Sequence, residues 1–248
     1  MKLIYKKPDA ITERDTTYCP GCPHGIAHRL VAELLEEMDL VKKTVIVWPV
    51  GCSVFGYYFI ATDAVEAAHG RACAMATGIK RVHPESFVMT YQGDGDLASI
   101  GIAETVHAAA RGERISVVYI NNGNYGMTGG QMAPTTLIGQ VTTTSPYGRK
   151  PELNGFPMHV PEMLAALDGP AYIARAALDS PQHIIQAKKF LKKAFTAQVK
   201  NLGFSLVELV SACPTNWKMT PVEAMERIRK EVLPVFPIGE FKVAKGVE

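Results

Sequence analysis

Five short apolar runs, residues 44–50, 86–92, 115–120, 171–177 and 204–210, each stop at a turn and are separated by longer stretches. This pattern constrains the chain more than any other feature. Runs of that length without polar alternation are strands buried on both faces, and strands of that kind need helices to cover them. The helices are found between the runs. In residues 24–38, Ile26, Leu30, Val31, Leu34, Leu35 and Met38 recur at helical spacing. Residues 66–81 are rich in Ala and Gly, as a closely packed helix requires, and residues 97–110 and 181 to about 200 continue the alternation. The fold class expected is α/β, a mainly parallel sheet flanked by helices.

No internal repeat or low-complexity segment interrupts the chain, so residues 1–219 read as one domain. Residues 220–248 begin with a helix over 221–232 and end in mixed Pro, Gly and Lys with little core potential. They are expected to be a C-terminal arm that packs on a partner. With 248 residues, 47% of them hydrophobic, a substantial core can form. A formal charge of +2 is too slight to attract nucleic acid. No apolar run reaches the roughly eighteen residues of a spanning helix, and the opening lacks the apolar stretch of a secretion signal. A soluble, cytoplasmic protein is expected, with no nucleic-acid or membrane partner. The Lys-rich face of the helix from 181 reads as a solvated surface.

Two of the turns carry chemistry. Gly93-Asp94-Gly95-Asp96 and Asn121-Asn122-Gly123 each end a buried strand, so in a parallel sheet both lie at the carboxyl edge, where ligands collect. The 25 residues between Gly95 and Asn121 allow a helical crossover and a return strand, which brings the turns together. Asp94 and Asn122 are hard oxygen ligands of the kind Mg²⁺ takes beside phosphate and water. Glycine lets the backbone approach phosphate oxygens, and the helix that follows points free N–H groups at the anion. Residues 128–156 form a long Gly/Pro/Thr-rich loop of the sort that carries function in a compact domain.

The cysteines form a second constellation. Cys19, Cys22, Cys52, Cys73 and Cys213 are an odd set with no export signal, which argues against a disulfide framework. Cys19-Pro-Gly-Cys22 presents two sulfurs to one side, an arrangement that both zinc and iron–sulfur sites use. Cys52, in the turn Gly51-Cys52-Ser53, and Cys213 each follow a strand and so reach the same edge as Asp94 and Asn122. A cluster placed there could take up electrons. Cys73 falls in the Ala-rich helix and reads as a small buried apolar residue.

YQGDGDLASIG and NNGNYGMTGGQMAPTT resemble 2-oxoacid:ferredoxin oxidoreductases, and the GDG…NN pair resembles the thiamine diphosphate motif. CPGC, GCS, AHGRACAMATGIK and ACPTN match the same family in the same order, from about Tyr18 to Trp217. The resemblance implies the diphosphate-binding half of a thiamine-diphosphate fold. It implies Mg²⁺ on Asp94, Asn122 and the main-chain carbonyl of Asn124, with Gly95 and Gly126 approaching the diphosphate and Met127 packing on the cofactor. Gly51, Cys52, Ser53, Gly93 and Asp96 would lie in the same cofactor-facing turns. A [4Fe-4S] cluster would be held by Cys19, Cys22, Cys52 and Cys213. Pro23 stands where relatives often have glycine, a change that removes no ligand.

His69 and Arg71 are expected to touch the diphosphate or the substrate, while His24 is explained by its place at a helix start. No Ser/His/Asp or Cys/His arrangement is found, and none is needed where the cofactor carries the chemistry. The activity implied is oxidative decarboxylation of a 2-oxo acid with coenzyme A to acyl-CoA and CO₂, reducing ferredoxin. Other subunits complete the enzyme, and one of them supplies the glutamate that activates thiamine. PVGCSVFGYYF with MTGGQMAPTT looks most like the branched-chain 2-oxoisovalerate type, and glycine at position 129, where some relatives carry lysine, also leans toward an apolar substrate. A 2-oxoglutarate enzyme, a non-redox thiamine-dependent decarboxylase or synthase, and a zinc-stabilised binding module are the rival readings.

Overall fold

A computed structural model describes residues 6–247. Helix α1 (His24–Glu37) leads into β1 (Thr44–Trp48) and the edge strand β2 (Asp63–Glu66). Next come α2 (Ala72–Val82), β3 (Phe87–Gly93), α3 (Ile102–Ala110) and β4 (Ser116–Asn121). A two-stranded ribbon, β5 (Asn124–Tyr125) with β6 (Gln131–Met132), opens the long loop, which ends in the short helices α4 (Pro151–Asn154) and α5 (Val160–Ala165). The chain finishes with β7 (Pro170–Ala177), α6 (Pro181–Val199), β8 (Phe204–Val210), α7 (Pro214–Trp217), α8 (Pro221–Arg227) and β9 (Gly239–Val243).

Seven strands form one sheet in the order β2-β1-β3-β4-β8-β7-β9, parallel except for β9, which runs antiparallel to β7. Successive side chains on a strand point to opposite faces, and both faces are covered. Met89 and Tyr91 of β3 pack with Leu30, Leu34, Leu191 and Phe195 of α1 and α6. Val88, together with Val117 and Tyr119 of β4, packs with Ala76 of α2, Ala108 of α3 and Leu164 of α5. Two apolar layers enclosing a parallel sheet account for the lack of alternation in the strands. Among the described residues, no helix is long and apolar enough to cross a membrane.

Three expectations need correction. The helix expected over 66–81 starts only at Ala72, and Glu66 instead ends an edge strand, Asp63–Glu66; Asp-Ala-Val-Glu is largely exposed at the sheet edge and carries no apolar signature. The helix after GDG is broken, since a π-helical turn over Asp96–Ile100 is separated by Gly101 from α3. A Cβ at Gly101 would lie 2.7 Å from the Asp96 carbonyl oxygen. The tail is also more than an arm. Ala224, Ile228, Val232 and Phe236 are buried against Ala177, Val210 and Leu137, and β9 extends the sheet.

The 128–156 loop is fixed by one buried side chain. The Arg149 guanidinium donates to the carbonyl oxygens of Ala133, Pro134, Thr136, Asn154, Gly155 and Phe156. Carbonyls that would otherwise be desolvated without partners are satisfied in this way, and residues 133–136 are held against the ends of β3 and β4.

Candidate functional site

Parallel register brings the two polar turns together: Gly93 at the end of β3 pairs with Ile120 of β4, one residue before the Asn121-Asn122 turn. Asp94 is 1% exposed. Its Oδ2 accepts hydrogen bonds from Thr135 Oγ1 at 2.5 Å and Gly123 N at 2.7 Å, and its Oδ1 accepts from Gly95 N at 2.9 Å. Burial outweighs these donors and pushes the carboxyl up to about 7. A cation beside the carboxylate would favour the charged form. Asn124 N donates to Asn122 Oδ1 at 3.3 Å, which sets the turn, and Asn124 Oδ1 is buried without a partner. An orphaned buried acceptor beside a donor-held carboxylate suits a hard cation.

Asp94, Asn122 and Asn124 line a cavity together with Gly51, Cys52, Ser53, His69, Gly93, Gly95, Asp96, Gly126 and Met127. A second cavity adjoins it, lined by Cys19, Cys22, Cys52 and Cys213. His24, Cys52, Asn122, Gly126 and Met127 line both. Gly126 separates the two, and a Cβ there would lie 3.1 Å from Cys52 Sγ and 3.7 Å from Cys213 Sγ. A side chain at this position would therefore press on Cys52 Sγ.

The cysteine cavity is built from three places in the chain. Gly21 takes a φ of +76°, which glycine tolerates, and Cys22 N donates to Cys19 O at 3.0 Å to close the Cys-Pro-Gly-Cys turn. A Cβ on Gly21 would lie 2.5 Å from the Pro221 ring, so α8 braces the turn. Burial pushes the Cys22 thiol up to about 12 and the Cys52 thiol to about 11, with neighbouring cysteines adding to the shift. Burial raises Cys213 as well, opposed by hydrogen bonds from Asn216 and Asn124. Burial of this kind disfavours the free thiolate, and a positive metal group beside the sulfurs would favour it. Cys73 is buried in α2, against Gln92 and Thr105, away from the other four. Among the described residues, no three His, Cys, Asp or Glu side chains close a single-ion cage.

Residues 49–209 match the family described as thiamine pyrophosphate enzyme, C-terminal TPP binding domain. The ketoisovalerate oxidoreductase subunit VorA of Methanothermobacter thermautotrophicus is 44% identical over 97% of this chain and 53% of its own length. The chain belongs to the thiamine-pyrophosphate-binding subunits of the 2-oxoacid oxidoreductases. The 2-oxoglutarate synthase subunit KorB of Archaeoglobus fulgidus, 37% identical over 87% of this chain and 76% of its own, is a further member. A solved 2-oxoglutarate:ferredoxin oxidoreductase from Magnetococcus marinus, with 2-oxoglutarate, coenzyme A and succinyl-CoA bound, superposes with a TM-score of 0.81 at 27% identity, covering 99% of this chain and 87% of that one. The chain spans about half the length of the VorA relatives it matches.

In this member of the 2-oxoacid oxidoreductases, the residues singled out from the sequence divide into those that reach the cavities and those that do not. Asp96 spends its carboxylate on neighbours: Oδ1 takes His69 Nδ1 at 2.5 Å and Gly70 N at 2.6 Å, and Oδ2 takes Gln92 Nε2 at 2.7 Å. It lines the first cavity beside His69, whose side chain is 33% exposed. Arg71 is turned away, bonded to the Ile100 carbonyl at 3.1 Å and to Glu104. His24 does more than start a helix, since its Nδ1 meets Tyr91 Oη at 2.9 Å and its ring stacks on Tyr18 at the wall shared by both cavities. Thr135, Gln92 and Asn216 went unnoticed in the sequence, because a threonine or an amide gains its role only from the partner that folding brings to it.

Behind the Asn121-Asn122 turn lies a buried ionic network. Arg175, 0% exposed, pairs with Glu208 and with Glu162 Oε2 at 2.7 Å, and Glu208 Oε1 accepts from Asn121 Nδ2 at 2.6 Å. The network ties the end of β4 to β7, β8 and α5.

Proposed function

We propose that this chain is the thiamine diphosphate- and [4Fe-4S]-carrying subunit of a CoA-acylating 2-oxoacid:ferredoxin oxidoreductase that works on a branched-chain 2-oxo acid. The shared wall carries this reading: a cavity with an Mg²⁺-type donor set and a cavity with four cysteines have His24, Cys52, Asn122, Gly126 and Met127 in common. A non-redox thiamine enzyme has no use for the second cavity, and a zinc module has none for the first.

Asp94, Asn122 and the Asn124 main-chain carbonyl would hold Mg²⁺, with Thr135 and Gly123 orienting Asp94. Gly95 and Gly126 leave room for the diphosphate, and Met127 would pack on the cofactor. When bound, thiamine diphosphate supplies the carbanion and the electron sink. Cys19, Cys22, Cys52 and Cys213 would ligate the cluster that receives electrons on the way to ferredoxin. His69, oriented by Asp96 and facing the first cavity, would hold a hydrogen bond or a proton beside the substrate. The expected partners are the other subunits, ferredoxin, the 2-oxo acid and coenzyme A, with residues 220–248 contributing to a subunit contact. The site of action proposed is the cytoplasm.

The branched-chain assignment is supported by the higher identity to ketoisovalerate subunits, 44% against 37% and 38% for 2-oxoglutarate subunits. The test is CoA-dependent reduction of ferredoxin or a viologen dye by the chain assembled with its partner subunits, over a panel of 2-oxo acids. 2-Oxoisovalerate should give the highest kcat/KM. A preference for 2-oxoglutarate would overturn the substrate, and CoA-independent aldehyde formation without dye reduction would overturn the reaction.

A further inference from the structure

We propose that the side-chain amide of Asn216 is a potential-setting link between the diphosphate loop and the cluster. It donates both to Cys213 Sγ and to the Gly126 carbonyl, and so raises the reduction potential of whatever cluster Cys213 ligates. The inference rests on the proposed [4Fe-4S] reading of the cysteine cavity.

Asn216 lies in α7, the single turn that follows Cys213. Its Nδ2 is 3.3 Å from Cys213 Sγ and 2.9 Å from Gly126 O. Its place is sterically defined: Gly130 takes a φ of +82°, and a Cβ there would lie 3.0 Å from Asn216 Cβ. The loop of the first cavity is thus folded around this amide. Cys213 collects further donors in the Asn216 backbone N–H and the Asn124 side-chain amide. Cys22, by comparison, takes a backbone hydrogen bond from His24, and Cys52 takes one from its own N–H. Of these three thiols, Cys213 is the one with side-chain donors, and its Sγ lies 3.7 Å from a Cβ built at Gly126.

Adding an electron to a cluster places more negative charge on its thiolates, so an N–H···S bond is stronger in the reduced state. Hydrogen bonds to the sulfurs are among the factors that set cluster potentials. The amide also has a bond to Gly126 O, so a ligand that shifts residues 124–127 changes the donor's alignment on Cys213. Cofactor binding in one cavity is thereby transmitted to the potential in the other.

The experiment is an anaerobic potentiometric titration, read by EPR and visible absorption, of wild type, Asn216→Ala and Asn216→Ser, each with and without thiamine diphosphate and Mg²⁺. Loss of the donor in Asn216→Ala should lower the reduced-to-oxidised ratio at fixed potential about tenfold, a downward shift of about 59 mV for one electron. Asn216→Ser, which keeps a shorter donor, should fall between. Wild type should shift on cofactor binding and Asn216→Ala should shift less. Iron content separates the two possible failures. A wild-type protein without iron and sulfide overturns the cluster reading, whereas loaded variants with the wild-type potential and the wild-type response to cofactor overturn the role of Asn216. If Asn216→Ala does not retain its cluster, Asn216→Ser decides alone, and an unshifted potential in it counts against the proposal.

Discussion

Thr135→Val removes one hydroxyl hydrogen bond at nearly constant volume and tests how Asp94 is prepared for its cation. In the native protein Oδ2 of Asp94 is held by Thr135 and by Gly123 N, Oδ1 takes Gly95 N, and the Asn122 N–H also bonds the carboxylate. Valine strips Oδ2 of its shorter donor in a fully buried setting, where a hydrogen bond to a charged group contributes about 1.5–3 kcal/mol. Asp94 then ionises less readily and is less fixed in direction. At about 1.4 kcal/mol per decade, the apparent affinity for Mg²⁺ and thiamine diphosphate should weaken about 10- to 100-fold, the range usual for partners that orient a metal ligand. Calorimetric titration of thiamine diphosphate at fixed Mg²⁺ gives the number, with circular dichroism to establish that the variant is folded. Thr135→Ser should recover most of the affinity. A folded Thr135→Val protein that binds within twofold of wild type would refute the orienting role.

Two further outcomes follow from buried charge. Arg175→Met leaves Glu208, itself 1% exposed, without its cation and should cost about 3–5 kcal/mol in urea unfolding; a loss below 1 kcal/mol would mean that the network does not brace the metal turn. Burial, with His24 nearby, lowers His28 from 6.5 to about 3. The unfolded chain therefore takes up a proton below pH 6.5 that the folded chain refuses, and stability is lost as pH falls from 6.5 toward 3. At pH 5 this one group costs about 2 kcal/mol relative to pH 7. His28→Gln should therefore be relatively more stable, compared with wild type, at pH 5 than at pH 7, and a difference independent of pH would contradict the assignment.

The sheet was legible wherever a strand is buried on both faces, because apolar runs such as 115–120 have no other reading. The edge strands escaped for the same reason in reverse: Asp63–Glu66 and Gly239–Val243 face solvent and keep polar residues. Phe236 and Val232 looked like an arm because their burial depends on Ala177 and Val210, which are distant in sequence. At the site, Asp94, Asn122 and the four cysteines could be read in advance as neighbours, since each follows a strand or a turn, and the structure places them around two adjoining cavities. Arg71 illustrates the limit. It belongs to a motif beside the cavity, yet Glu104 and the Ile100 carbonyl turn it outward. Asn216 and Thr135 act through hydrogen bonds to groups about 90 and 41 residues away, and no local pattern announces such partners.

In the proposed function, one chain holds a thiamine diphosphate site and an iron–sulfur site that meet at a wall including Gly126. Quantifying iron, acid-labile sulfide, zinc and thiamine diphosphate in anaerobically prepared protein, and in single Ser replacements of all five cysteines, tests it most directly. Iron and sulfide in equal amounts, one thiamine diphosphate per chain, loss of iron in the Cys19, Cys22, Cys52 and Cys213 variants and its retention in Cys73→Ser are predicted. Stoichiometric zinc without sulfide, or iron that survives replacement of those four but not of Cys73, would contradict it.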